Sequence, residues 1–233
     1  MDSLKETQHI EVYIQRAYNI ESITPVYGEI LVREYKGIKS AKDIIEIVKA
    51  NNEEYDFDLD ILEEALRIKR SNNIKVPISI NLMPKSIENK NIAKDIKQLI
   101  NNYNIDKNEI IIEITEETNF SNLNVNNNIK NIKELGIKIA LDDFGVEKSN
   151  IICLVNNIFD LLKVDKAFLN NINDKTKCIL RTISELCESL KIECCIEGIE
   201  TEEHLKLIKQ LGYKVVQGYY FEKPFPMKEL IGE

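Results

Sequence analysis

From residue 76 onward the chain repeats one rhythm, a short apolar run rich in Ile or Val followed by a longer stretch with apolar residues at helical spacing. Runs at 76–82, 109–116, 137–143, 161–165, 192–198 and 214–221 read as strands, and 91–101, 123–135, 174–190 and 201–211 read as helices. Such apolar runs suit strands that are buried on both faces. Parallel neighbours need a crossover between them, so strands alternating with helices predict a parallel sheet. Only the span from 144 to 160 is too short for more than a small helix. Gly136 and Gly212 stand where helices should end.

The first third differs. Residues 11–20 and 28–35 alternate as strands and are joined by a short connection containing Thr24-Pro25, which predicts an antiparallel pair. Helical spacing follows at 41–50 and 57–69, the second with Asp58 near its start. Eight strands point to a closed barrel more than to an open sheet, and 233 residues is an ordinary length for one. No internal repeat or interdomain linker is visible, so residues 1–233 are read as one domain. The Asn-rich patch from Asn122 to Asn128 reads as a polar helix start.

Composition removes several functions. A net charge of −8 argues against a surface that tracks a long nucleic acid, yet allows a small phosphorylated ligand held through bound cations. The start has no apolar signal core and no run approaches a membrane span, which together predict a cytoplasmic protein without membrane attachment. The five cysteines are odd in number and form no Cys-x-x-Cys, so they read as buried reduced thiols. Only His9 and His204 are present, which makes a histidine metal site or a Ser-His-Asp triad improbable. Any metal here would have to be hard and oxygen-liganded.

The strand ends carry the oxygen. Glu29 begins the second strand, and if that strand is antiparallel its start lies at the rim where the others end. Asn81 ends the third; Glu113 and Glu116 lie at the end of the fourth; Asp142 and Asp143 close the fifth. Lys163 and Asp165 share one face of the sixth, Glu197 ends the seventh, and Gln217 lies in the eighth. Each residue alone has a structural reading, as a helix cap or a salt bridge. Several carboxylates at one rim repel unless divalent cations neutralise them, and an all-oxygen set selects Mg²⁺ or Mn²⁺ over zinc. Adjacent residues of a regular strand face opposite sides. Asp143 must therefore sit where the strand breaks into its loop, an arrangement that suits Asp142 bridging two metals while Asp143 binds only the second.

In this order the motifs resemble a bacterial, stand-alone EAL-type cyclic di-GMP phosphodiesterase domain, nearly end to end. The signature Glu-Ala-Leu is met by Glu29-Ile30-Leu31, followed by Arg33; Asn81-Leu82-Met83-Pro84 is similar to Asn-Leu-Ser-Pro. Glu113-Ile114-Thr115-Glu116 and Asp142-Asp143-Phe144-Gly145 match fully, and Leu162 to Asp165, Glu197 to Thr201, Gln217-Gly218-Tyr219 and Phe221 to Pro224 complete the series. The resemblance implies a modified TIM barrel with an antiparallel first strand. It also implies two Mg²⁺ or Mn²⁺ ions, one held by Glu29, Asn81, Glu113 and Asp142 and the other by Asp142, Asp143 and Glu197. A shared water would then attack phosphorus and open cyclic di-GMP to linear pGpG, with Lys163 steadying that water or the developing charge and Gln217 positioning it. Arg33 and Asp165 would contact substrate, Glu116 and Glu200 would pin the loop after Asp143, and the domain would form a homodimer. With no sensor segment visible, control would fall to a regulatory protein partner, to dimerisation or to expression.

Two departures stand out. The family's Gln-Pro-Ile is matched to Tyr18-Asn19-Ile20, which gives Tyr18 the place of a substrate-contacting amide. The loop after the Asp pair carries Val146, Glu147 and Lys148 in place of Thr, Gly and Tyr. A glycine there that adopts positive φ would cost a replacement about 1 kcal/mol or more. Two readings therefore stay open, an active phosphodiesterase and a weak or silent receptor or protein-interaction module on the same fold. A third, an unrelated Mg²⁺ barrel enzyme with Lys163 as base, leaves the ordered motifs unexplained.

Overall fold

The computed structural model describes residues 9–146, 151–156 and 158–232. In chain order the elements are β1 (Ile10–Asn19), β2 (Pro25–Tyr35), α1 (Ala41–Asn51), α2 (Glu54–Ser71), β3 (Ile78–Leu82), α3 (Pro84–Glu88), α4 (Ile92–Tyr103) and β4 (Ile110–Thr115). They continue with α5 (Leu123–Glu134), β5 (Lys138–Phe144), β6 (Leu161–Val164), α6 (Asp174–Leu190), β7 (Glu193–Ile196), α7 (Glu202–Gln210), β8 (Val215–Gln217) and β9 (Phe225–Pro226). Strands β2 to β8 pair side by side in sequence order, each parallel to the next. β1 closes the ring, antiparallel to both β2 and β8, and β9 adds a short antiparallel pairing on β1. The expected eight-stranded α/β barrel with a reversed first strand is what forms.

One premise of the sequence reading is corrected here. β2 does not run against the others: Gly28 pairs with Ile78 and Glu29 with Ser79 in a parallel ladder, and β1 is the reversed strand. Glu29 lies inside β2 rather than at its start. It reaches the site because barrel strands tilt, so a mid-strand residue of one can lie beside the end of another.

Strand periodicity builds the interior. Side chains two apart share a face, and on every strand a residue of the polar rim lies two positions from one in the layer below. The pairs are Gln15 with Ala17, Glu29 with Tyr27, Asn81 with Ser79 and Glu113 with Ile111; then Asp142 with Ala140, Lys163 with Leu161, Glu197 with Cys195 and Gln217 with Val215. The lower set without Ser79 (Ala17, Tyr27, Ile111, Ala140, Leu161, Cys195, Val215) packs as its own buried cluster. The larger core fills the space between barrel and helices and takes in residues such as Ile80, Ile112 and Leu162 from the outward faces of the strands.

Local chemistry fixes the helix ends. Ser40, Asn122, Asn173 and Thr201 each accept from a first-turn amide of α1, α5, α6 and α7. The Asn-rich patch is thus a helix start, and Asn128 within it is buried with its amide donating to Ile87 O at 2.7 Å. Gly136 and Gly212, just past α5 and α7, have φ of +90° and +91°. α2 begins before residue 57, which puts Asp58 inside the helix. There its carboxylate is 2% exposed and accepts from Met83 N at 2.7 Å, immediately after β3. Among the described residues no helix is long and apolar enough to cross a membrane. All five cysteines are free; Cys153, Cys187 and Cys195 are buried, Cys194 partly so, and Cys178 is exposed, contrary to a uniformly buried set.

Candidate metal centre

Lys163 is the centre of the rim. Its side chain is fully buried, and its Nζ lies 2.8 Å from Glu113, 2.9 Å from Glu197, 3.0 Å from Asp142 and 3.2 Å from Glu29. Burial favours a neutral amine, but the summed pull of Asp142, Glu113, Glu197 and Glu29 wins and raises the lysine pKa well above its ordinary value. For the carboxylates burial is the stronger cause. Burial raises Glu113 well above the usual carboxylate range, and it raises Glu197 too, with Lys163 opposing in both cases. One cation against four acids leaves the site short of positive charge.

The carboxylates fall into two groups. Oxygens of Glu29, Glu113 and Asp142 lie within 4.8 Å of one another, and so do oxygens of Asp142, Asp143 and Glu197. Asp142 belongs to both. Asp143 joins because its backbone leaves the strand conformation: φ is +55°, and the β5–β6 register is broken between Leu141 and Phe144. A φ of that sign is uncommon outside glycine, and Asp tolerates it better than most side chains. The break turns Asp143 toward the same ligand cluster as Asp142.

Amides surround Glu29. Gln217 Nε2 donates to Glu29 Oε2 at 2.9 Å, and Asn81 Nδ2 lies 3.4 Å from Glu29 Oε1. The loop carrying Glu197 is pressed against β8, where Ile199 N donates to Gln217 O at 3.0 Å. A Cβ on Gly218 would collide with the Ile199 backbone, so only glycine allows that approach. Glu116 accepts from Gly145 N at 3.2 Å, tying β4 to the turn after the Asp pair. Glu200 is exposed at the mouth and makes no comparable bond among the described residues. Asp165 lines the mouth while its carboxylate caps residues 166–169 by accepting from Ala167 N at 2.6 Å. The altered loop after Val146 falls on residues 147–150, outside the described residues.

Arg33 lies on the wall of a neighbouring apolar cleft of about 280 Å³, together with Asn81 and Met83, and its guanidinium carbon is 5.5 Å from the Tyr13 ring centre. Tyr18 is a correction. Its ring is 9% exposed and stacked on Phe221 at 5.1 Å, and its O–H donates to Glu222 at 3.3 Å, so it presents no face to a ligand at the mouth. The amide that β1 does bring to the mouth is Gln15, which pairs directly with Glu29 across the β1–β2 ladder. Counting the hairpin register back from Glu29 would have found it.

The mouth above the cluster is a cleft of about 500 Å³ lined by Gln15, Glu29, Asn81, Asp142, Asp143 and Glu197. These six residues offer carboxylate and amide groups, and Lys166 also lines the cleft. Glu113 Oε1 and Gln217 Oε1 are buried without a hydrogen bond, so each has an acceptor to offer. Hard divalent cations fit such a set and soft ones do not.

Comparison with known proteins identifies the family. The EAL domain family model matches residues 2–224. The chain is 34% identical over 211 residues to the probable cyclic di-GMP phosphodiesterase PdeA of Escherichia coli K12, covering 87% of itself but 29% of that protein. It thus spans under a third of that relative's length. Its fold matches a standalone versatile EAL protein from Vibrio cholerae O395 in a cyclic di-GMP-bound form, with a TM-score of 0.84, 26% identity and coverage of 95% and 94% of the two chains. Klebsiella pneumoniae BlrP1, in a manganese and cyclic di-GMP complex, shares the fold at a TM-score of 0.86, 24% identity and coverage of 95% and 57%. By fold and by sequence along nearly its whole length, the chain belongs to the EAL domain family.

Proposed function

We propose that residues 1–233 form one EAL-type unit that hydrolyses cyclic di-GMP to linear pGpG with two divalent cations, Mg²⁺ or Mn²⁺. The observation that carries this reading is the sharing of Asp142 between two carboxylate groups, Glu29–Glu113–Asp142 and Asp142–Asp143–Glu197. Asn81 completes the first set from β3. Such ions would supply a water of lowered pKa and positive charge beside the phosphate.

The chain's own residues do the rest. Asp142 fixes the spacing of the two positions, and Asp143 owes its place to the backbone break. Glu116 holds that break by accepting from Gly145 N. Lys163 keeps its proton and supplies a permanent positive charge beneath the carboxylates, steadying charge that develops on the attacked phosphate. Gln217 orients Glu29 and faces the attacking water. Arg33 receives a substrate phosphate and Asp165 a polar substrate group. Water oxygen bonds to phosphorus, the bond from phosphorus to the 3′ oxygen breaks, and the proton that the water gives up goes to that oxygen. A homodimer under the control of a protein partner belongs to the same proposal.

Incubation of the purified chain with cyclic di-GMP and Mg²⁺ or Mn²⁺, followed by chromatography of the nucleotides, tests it. Multiple turnovers to pGpG are expected. No pGpG at enzyme concentrations comparable to substrate would overturn the catalytic reading, and tight binding without turnover would establish the silent-receptor alternative.

A further inference from the structure

Beneath the carboxylates lies a layer that the chemistry above does not use. It is built from small or aliphatic side chains with one exception, Tyr27. The ring has room because Ala17 pairs with it directly on β1 and because Ser79, Ala140 and Cys195 contribute small side chains to the same layer. Tyr27 is 1% exposed, and its hydroxyl makes no hydrogen bond of good geometry, with the Cys195 thiol as a weak polar neighbour in the layer. Buried phenols ordinarily find a partner, because leaving a buried polar group unpaired is costly.

An unpaired acceptor lies one layer above. Glu113 is fully buried, with Oε2 on Lys163 at 2.8 Å and Oε1 unbonded. Tyr27 and Glu29 share a face of β2, while Ile111 and Glu113 share a face of β4, so phenol and carboxylate project into the same interior at successive levels. Lys163 and Glu113 are the fully buried charges of the layer above, and Cys195 shares the phenol's own layer.

We propose that Tyr27 is a positioning residue for Glu113, its O–H donating from below through one bridging water that orients this carboxylate toward the cation. Metal ligands are commonly held by such outer partners, whose loss costs about 10- to 100-fold in affinity. The inference rests on the metal-site reading above, and the two are separable by experiment.

Mn²⁺ titration calorimetry on the metal-free chain, on Tyr27→Phe and on Leu161→Val decides it, with melting temperature measured alongside. Leu161→Val trims the same layer without touching a polar atom. Tyr27→Phe is expected to bind Mn²⁺ about tenfold more weakly or worse, with kcat for cyclic di-GMP reduced at saturating Mn²⁺ and KM little changed. Leu161→Val is expected to lose some melting temperature but keep Mn²⁺ affinity. Tyr27→Phe binding Mn²⁺ as tightly as the unaltered chain overturns the inference alone, as does an equal loss in Leu161→Val. No Mn²⁺ binding by the unaltered chain overturns the metal site itself.

Discussion

Asp142 and Asp143 are neighbours in β5, yet both offer oxygens to one ligand cluster with Glu197, because the backbone turns to φ +55° at Asp143. A regular strand would send them to opposite faces. The strain and the chemistry therefore share a residue. Asp143→Asn keeps a side chain that tolerates this conformation and removes the charge. The melting temperature should fall by no more than a few degrees, while Mn²⁺ stoichiometry by calorimetry drops from two to one and turnover falls at least about 100-fold.

Glu29 is held from two sides, by Gln217 at 2.9 Å and Asn81 at 3.4 Å, and stands 3.2 Å from Lys163. Glu29→Ala should abolish turnover of cyclic di-GMP. Retained turnover in this variant would show that the first cation position is assigned to the wrong residues.

Lys163 is the cation that the four acids face in the metal-free chain. Lys163→Met leaves them buried without it, and removing one partner of a buried ion cluster costs about 3–5 kcal/mol. Urea denaturation in EDTA should show that loss. Added Mn²⁺ should recover much of it, since the ions replace the missing charge. A variant equally unstable with and without Mn²⁺ would mean that the ions do not bind among these acids.

Asp58 sets a pH dependence away from the rim. Burial pushes its pKa up to about 7, against about 3.9 in an unfolded chain. Between those values the folded protein holds a proton that the unfolded chain has released, so stability falls as pH rises from about 4 to 7 and then levels off. The full span is worth roughly 4 kcal/mol as an upper bound. Asp58→Asn can still accept from Met83 N and carries no charge. Its melting temperature should exceed that of the unaltered chain at pH 8, and the gap should narrow toward pH 5.

Much of the fold was legible because buried barrel strands carry a dense signal: the Ile-rich runs at 76–82 and 109–116 became β3 and β4 within two residues at each end. Shorter elements gave none. β9 is two residues long and α3 only five, so neither shows a period. The hairpin misled for a different reason. Its register shifts between Ala17 and Tyr18, and register is a property of two strands that one strand's sequence does not display. The match of Gln-Pro-Ile to residues 18–20 rests on sequence alone, whereas the folded hairpin sets Gln15 opposite Glu29. Rim acids such as Glu113, Asp142 and Glu197 are visible in the sequence because each lies at the end of an apolar run. Tyr27 reads as any strand tyrosine until the lower layer is seen to hold no other aromatic side chain among the described residues.

The central claim is that one aspartate serves two cations. Anomalous diffraction from crystals grown with Mn²⁺ tests it directly. Two manganese peaks are predicted, one among Glu29, Asn81, Glu113 and Asp142 and the other among Asp142, Asp143 and Glu197, with Asp142 within bonding distance of both. A single peak, or two peaks that Asp142 does not bridge, would contradict the account.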